Sequence, residues 1–220
     1  MVSSFLADDT QQEACGVFGI YSRNTAVARV TFFALFALQH RGQESAGIAV
    51  TDGRHAELYK EMGLVTQVFK EENLAPLEGH IAIGHVRYST ADSSRRLSAQ
   101  PFMLDSALGP VAIAHNGNLV NALELRQQLF EKGVGLVSSC DSETLIQLLA
   151  GGKGETWVER IRDVMSRAKG AYSLTILTNE ALYAVREGAE VVSAHDFDLA
   201  RDRVLMGVKR DSMVLSDVER

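Results

Sequence analysis

The chain has 220 residues, 46% of them hydrophobic and 23% charged, which suits a globular protein with one substantial core. Its formal net charge of -6, with no basic run interleaved with aromatic residues, argues against nucleic acid or anionic lipid as a partner. There is neither a signal-peptide opening nor a stretch of about 18 uninterrupted apolar residues, so the expectation is a cytoplasmic chain that does not enter a membrane.

Residues 1–14, MVSSFLADDTQQEA, show no structural pattern. CGVFGIYS then reads as a short buried strand opening at Cys15, and AVARVTFFALFALQHR as a helix apolar around most of its circumference, predicted to be sandwiched between layers. The segments AGIAVT, AELYKEMG, HIAIGHVRYS and GPVAIAHNG read as strands separated by Gly, Asn and Asp turns. Several are apolar on both faces, which suits a sheet covered on each side. Helices dominate next: NALELRQQLFEKG stops at a glycine, DSETLIQLLAGG opens on an Asp/Ser cap, and TWVERIRDVMSRAKG repeats that design. AYSLTILTNEALYAVRE closes the series as a hairpin over Asn-Glu. Strands clustered in runs, with helices in similar amount, predict a layered α+β fold.

The chemistry-bearing residues each admit two readings. Cys15 is either a small core thiol or, if residues 1–14 are removed, a nucleophile whose own α-amine, with a reference pKa of about 7.7 to 8.0, serves as base. Arg87, ending a strand in GHVRYST, is either an ion-pair partner or a bidentate clamp for a carboxylate. Asn116 and Gly117 in AHNGN form either an ordinary turn or a pair of donors aimed at an oxyanion. Asp141 either caps its helix or receives an ammonium group. QHRGQES is either an elaborate helix end or a loop that shapes a site. Cys140 has no base in its local sequence and reads as a partly buried thiol, and the two cysteines are expected to stay reduced. None of the six histidines falls into a metal-ligand spacing.

In order and spacing, CGVFGI, LQHRGQESAGIA, GHVRYST, AHNGNLVNA, CDSE and GAYSL resemble the N-terminal glutaminase domain of the class II glutamine amidotransferases. Within that group the wording is most similar to the glutamine phosphoribosylpyrophosphate amidotransferase family. RGQESAGI and RYST differ from the corresponding phrases of glucosamine-6-phosphate synthase and asparagine synthetase. The likeness runs from Glu13 to Arg186. It implies an N-terminal-nucleophile hydrolase fold, a four-layer αββα sandwich with two antiparallel sheets, and L-glutamine as substrate. It further implies a propeptide at 1–14, a glutaminase domain at 15–187, Cys15 as nucleophile, and Asn116 with Gly117 as the oxyanion hole. Arg87, assisted by Thr90, would hold the substrate carboxylate, and Asp141 its ammonium group.

Beyond Arg186 the family's wording stops, and no phosphoribosyltransferase motif follows. No cofactor is therefore expected in this chain, since Mg and phosphoribosylpyrophosphate would belong to the domain it lacks. Partners would be a second copy of the chain or a separate synthase that accepts the ammonia. Residues 188–220 read as an unrelated tail, in which DFDLARDRVLMGVKRDSMVLSDVER resembles a segment of membrane-anchored AAA proteases just ahead of their zinc-binding helix. A junction between two genes is expected near residues 187–192. The alternatives are an inactive glutaminase-like binding or regulatory module and a truncated chimeric product.

Overall fold

The computed structural model describes residues 15–88 and 96–186. The expected propeptide, Ser89, Thr90 and the tail lie outside the described residues. In chain order the elements are β1 (Gly16–Tyr21), α1 (Val27–Ala37), β2 (Ser45–Thr51), β3 (Ala56–Met62), α2 (Val65–Val68), α3 (Glu71–Leu74) and β4 (Ile81–Arg87). They continue with β5 (Phe102–Ser106), β6 (Gly109–Leu119), α4 (Ala122–Glu131), α5 (Asp141–Ala150), α6 (Trp157–Arg167), β7 (Gly170–Thr178) and β8 (Leu182–Arg186). No described helix is long and apolar enough to cross a membrane.

The strands form two four-stranded antiparallel sheets, ordered β1-β4-β2-β3 and β5-β6-β7-β8. Alternation along each strand distributes the side chains among three cores. On β2, Ala46, Ile48 and Val50 join Val27, Ala28 and Leu35 of α1, whereas Ala49 faces the second sheet. On β4, Ile81 and Ile83 meet Ala112 and Ala114 of β6 and Leu177 of β7 between the sheets. The small alanines let the sheets approach, and each fully buried isoleucine contributes about 2 kcal/mol by leaving water. Beyond the second sheet, Leu125, Leu145, Leu149, Trp157 and Ile161 of α4, α5 and α6 close the third core. The order of layers is thus helix, sheet, sheet, helix: the expected α+β sandwich.

Two local expectations are corrected. Helix α1 is covered on one face only: Val27, Ala28, Thr31 and Leu35 are buried, but Phe33 and Phe36 are 66% and 53% exposed. Helix α5 has Cys140 as its N-cap with no side-chain cap bond, and Asp141 is already its first helical residue. Strand β5 and the short helices α2 and α3 are additions to the predicted set.

Candidate active site

Cys15 immediately precedes β1, and the pairing of Gly16 with Val86 sets it beside the end of β4. Its thiol donates toward the Tyr88 carbonyl at 3.7 Å, and its own carbonyl accepts from Arg41 Nε at 3.0 Å. Burial raises the thiol pKa above its ordinary value, against the opposing pull of the Tyr88 main chain and the Arg87 guanidinium. A thiol so placed stays protonated at neutral pH and attacks only when a base takes its proton.

Arg87 lies on the β4 face that alternates with Val86, turned away from α1. Its Nε sits 3.8 Å from Glu44 Oε2, and the two side chains are only 12% and 15% exposed. The QHRGQES segment brings both Glu44 and Arg41 here. Gly42 permits the approach, because a Cβ on it would lie 2.7 Å from the Arg87 and Val86 main chain. Gln39 secures the same segment, accepting from Val65 N at 2.6 Å and donating to the Gly42 carbonyl. The segment thus ends α1 in a turn over Gln39–Arg41 and, in the same stretch, brings Arg41 and Glu44 to the end of β4.

Asn116 and Gly117 lie in β6, so the turn reading is replaced by a strand. Asn116 is nearly buried, opposite Ser173 on β7. Gly117 has φ +133, and a Cβ there would meet the Ala171 carbonyl at 2.2 Å. Only glycine fits that backbone. Asp141 accepts from Leu119 N at 2.9 Å, a bond that ties the start of α5 to the end of β6. Burial raises its carboxyl pKa, while the Leu119 bond and nearby Arg126 lower it.

Comparison with known proteins finds relatives of this chain. A family model described as a glutamine amidotransferase domain matches residues 85–193. An amidophosphoribosyltransferase of Synechococcus elongatus is 52% identical over 181 residues, covering 81% of this chain and 37% of that protein. Another, of Methanocaldococcus jannaschii, is 51% identical over 176 residues, covering 79% and 37%. The solved glutamine phosphoribosylpyrophosphate amidotransferase from B. subtilis, complexed with ADP and GMP, superposes with a TM-score of 0.71 at 40% identity, covering 77% of this chain and 36% of that one. This chain carries a glutamine amidotransferase domain. It spans little more than a third of the length of the curated relatives it matches.

Several groups around the candidate site were not singled out in the sequence. Glu44 and Arg41 stood in view within QHRGQES without assigned roles. His85 and His115 sit inside GHVRYST and AHNGN, yet their link is tertiary: His85 Nε2 lies 3.0 Å from the His115 carbonyl. His115 Nδ1 lies 3.1 Å from Ser142 Oγ, which also accepts from the Cys140 thiol at 3.3 Å. Burial lowers His85 to about 3 and His115 to about 4, so both rings are neutral at pH 7. Lys60, lowered by burial to about 8, donates to the Ala99 carbonyl at 2.6 Å and the Pro101 carbonyl at 3.0 Å. Nothing in a run of alternating strand residues advertises such partners.

Proposed function

We propose that this chain hydrolyses L-glutamine to glutamate and ammonia, as the glutaminase part of an amidophosphoribosyltransferase of purine synthesis in the cytoplasm. The observation that carries the reading is the pairing of β1 with β4, which sets Cys15 beside the end of β4, where the Arg87 guanidinium acts on its thiol. Removal of residues 1–14 as a propeptide gives Cys15 the α-amine that supplies the missing base. Arg87, with Thr90, takes the glutamine carboxylate, and Asp141 takes the ammonium group. The Asp141 carboxylate accepts from Leu119 N through one oxygen, and its remaining lone pairs can accept the donors of an ammonium group.

With the substrate so held, the amine takes the thiol proton and the sulfur attacks the side-chain amide carbon. The developing oxyanion receives hydrogen bonds from the Asn116 side-chain amide and the Gly117 N–H, each worth about 3 kcal/mol in the transition state. Collapse passes the proton to the leaving nitrogen, ammonia departs, and a thioester remains. Water then cleaves the thioester, releasing glutamate and restoring the thiol. Ammonia is consumed by an acceptor domain or synthase, where Mg and phosphoribosylpyrophosphate would bind. The division into propeptide 1–14, domain 15–187 and separate tail 188–220 belongs to the same proposal, as does self-association.

The test is the intact mass of the purified chain before and after treatment with an alkylating glutamine analogue, beside Cys15→Ala. A mass starting at Cys15, with one adduct that the variant lacks, is the expected result. A full-length mass without adduct overturns the reading and leaves an inactive binding module.

A further inference from the structure

The proposed substrate-binding groups sit on three separate elements: Arg87 on β4, Asn116 on β6 and Asp141 on α5. Each has a buried polar neighbour one or two residues away, and those neighbours are bonded to one another. His85, two residues before Arg87, reaches from the first sheet to the His115 carbonyl in the second. His115, directly before Asn116, turns its ring to the opposite side of its sheet, toward Ser142, directly after Asp141. All of them are at most 4% exposed.

Gln100 completes the chain of contacts. Its Nε2 donates to the His115 carbonyl at 3.1 Å, and its Oε1 accepts the His115 N–H at 2.8 Å. The pairing of β5 with β6 ends where Phe102 meets Ile113. Continued by two residues, the same register sets Gln100 opposite His115, where Pro101 interrupts the strand. The glutamine side chain there makes both bonds that a strand backbone would make. Gln100 is itself held on both flanks, since Lys60 Nζ bonds the carbonyls of Ala99 and Pro101. Its own carbonyl packs so closely on Gly47 that a Cβ there would lie 2.2 Å away.

On the glutaminase reading given above, we propose that Gln100, held by Lys60, is a positioning residue that fixes the β6 main chain at His115 and thereby aims Asn116 at the oxyanion, while the His115–Ser142 contact registers Asp141 against it. The two arms have different kinetic signatures. An oxyanion donor acts in the transition state, so disturbing it lowers kcat with little change in KM. An ammonium ligand acts on bound substrate and transition state alike, so disturbing it raises KM.

The experiment measures glutamine hydrolysis and thermal unfolding for the full chain and four variants. Gln100→Ala is expected to lower kcat at least tenfold with KM within threefold. Lys60→Met, which leaves Gln100 in place, is expected to lower kcat at least threefold with KM unchanged. Ser142→Ala is expected to raise KM at least threefold, and Ser142→Thr, which keeps the hydroxyl, to restore it. Should Gln100→Ala fail to fold, Lys60→Met and the Ser142 pair decide the matter. An active parent whose variants keep kcat and KM within twofold overturns the positioning role alone, as does a uniform loss that follows unfolding temperature. A parent with neither activity nor adduct overturns the glutaminase reading and this inference with it.

Discussion

Gly117 shows how much a single residue commits the site. Its φ of +133 belongs to glycine, and the Ala171 carbonyl occupies the space a methyl group needs. Gly117→Ala is expected to cost about 2 to 4 kcal/mol of stability through backbone strain and overlap. Urea unfolding measures that cost, and a loss of less than about 1 kcal/mol contradicts it. Cys15 poses the complementary question of reactivity. Its thiol pKa is raised by burial, and before cleavage no α-amine stands beside it. Alkylation of Cys15 by iodoacetamide in the full-length chain should therefore reach half its maximal rate at a higher pH than in the urea-unfolded chain. An equal or lower midpoint in the folded chain would show that burial does not govern the thiol.

At the scale of elements, α5 matters most, because the loop before it delivers Cys140 and Asp141. Glu143 secures that loop: its carboxylate accepts from Val137 N, Ser138 N and Ser138 Oγ, each at 2.6 Å. Glu143→Gln turns an NH2 group toward those donors and should cost about 2 to 3 kcal/mol, with a raised KM for glutamine. Thr156→Ala provides the contrast. Thr156 and Glu159 form a capping box on α6, so its loss should cost about 1 kcal/mol in urea unfolding and leave KM unchanged. That box was legible in the sequence, as were the hairpin over Asn179 and Glu180 and the four strand segments, because their signals are local. Strand β5 was not, since FMLDS has meaning only as a partner for β6. Helix α1 was misjudged for a related reason: apolar periodicity reports what a helix can bury, and nothing among the described residues covers Phe33 and Phe36. The site motifs were legible as phrases, whereas the bonds joining them span up to 73 residues of sequence and arise only once the strands pair and the sheets stack.

Across the whole molecule, the layers bury one histidine ring, His85, between the two sheets and a second, His115, between the second sheet and α5, and these rings make stability depend on pH. His85 and His115 bind protons at about 3 and about 4 in the folded chain, against 6.5 for an ordinary histidine. Between those values the unfolded chain binds more protons than the folded one, so stability rises with pH through the window. It is complete above about 6.5 and is lost as pH falls, by about 1.4 kcal/mol per unit for each ring. Asp141 contributes with the opposite sign, because its raised pKa favours the folded state as acid is added, but only near the carboxylate range. From about pH 6.5 to about pH 5 the two buried rings should therefore dominate, costing about 3 kcal/mol together. His85→Gln retains an amide N–H for the His115 carbonyl and cannot be protonated in that range. In urea unfolding the variant should lose about half as much stability as the parent between those two pH values. An unchanged loss would mean that acid enters the fold elsewhere than through the ring between the sheets.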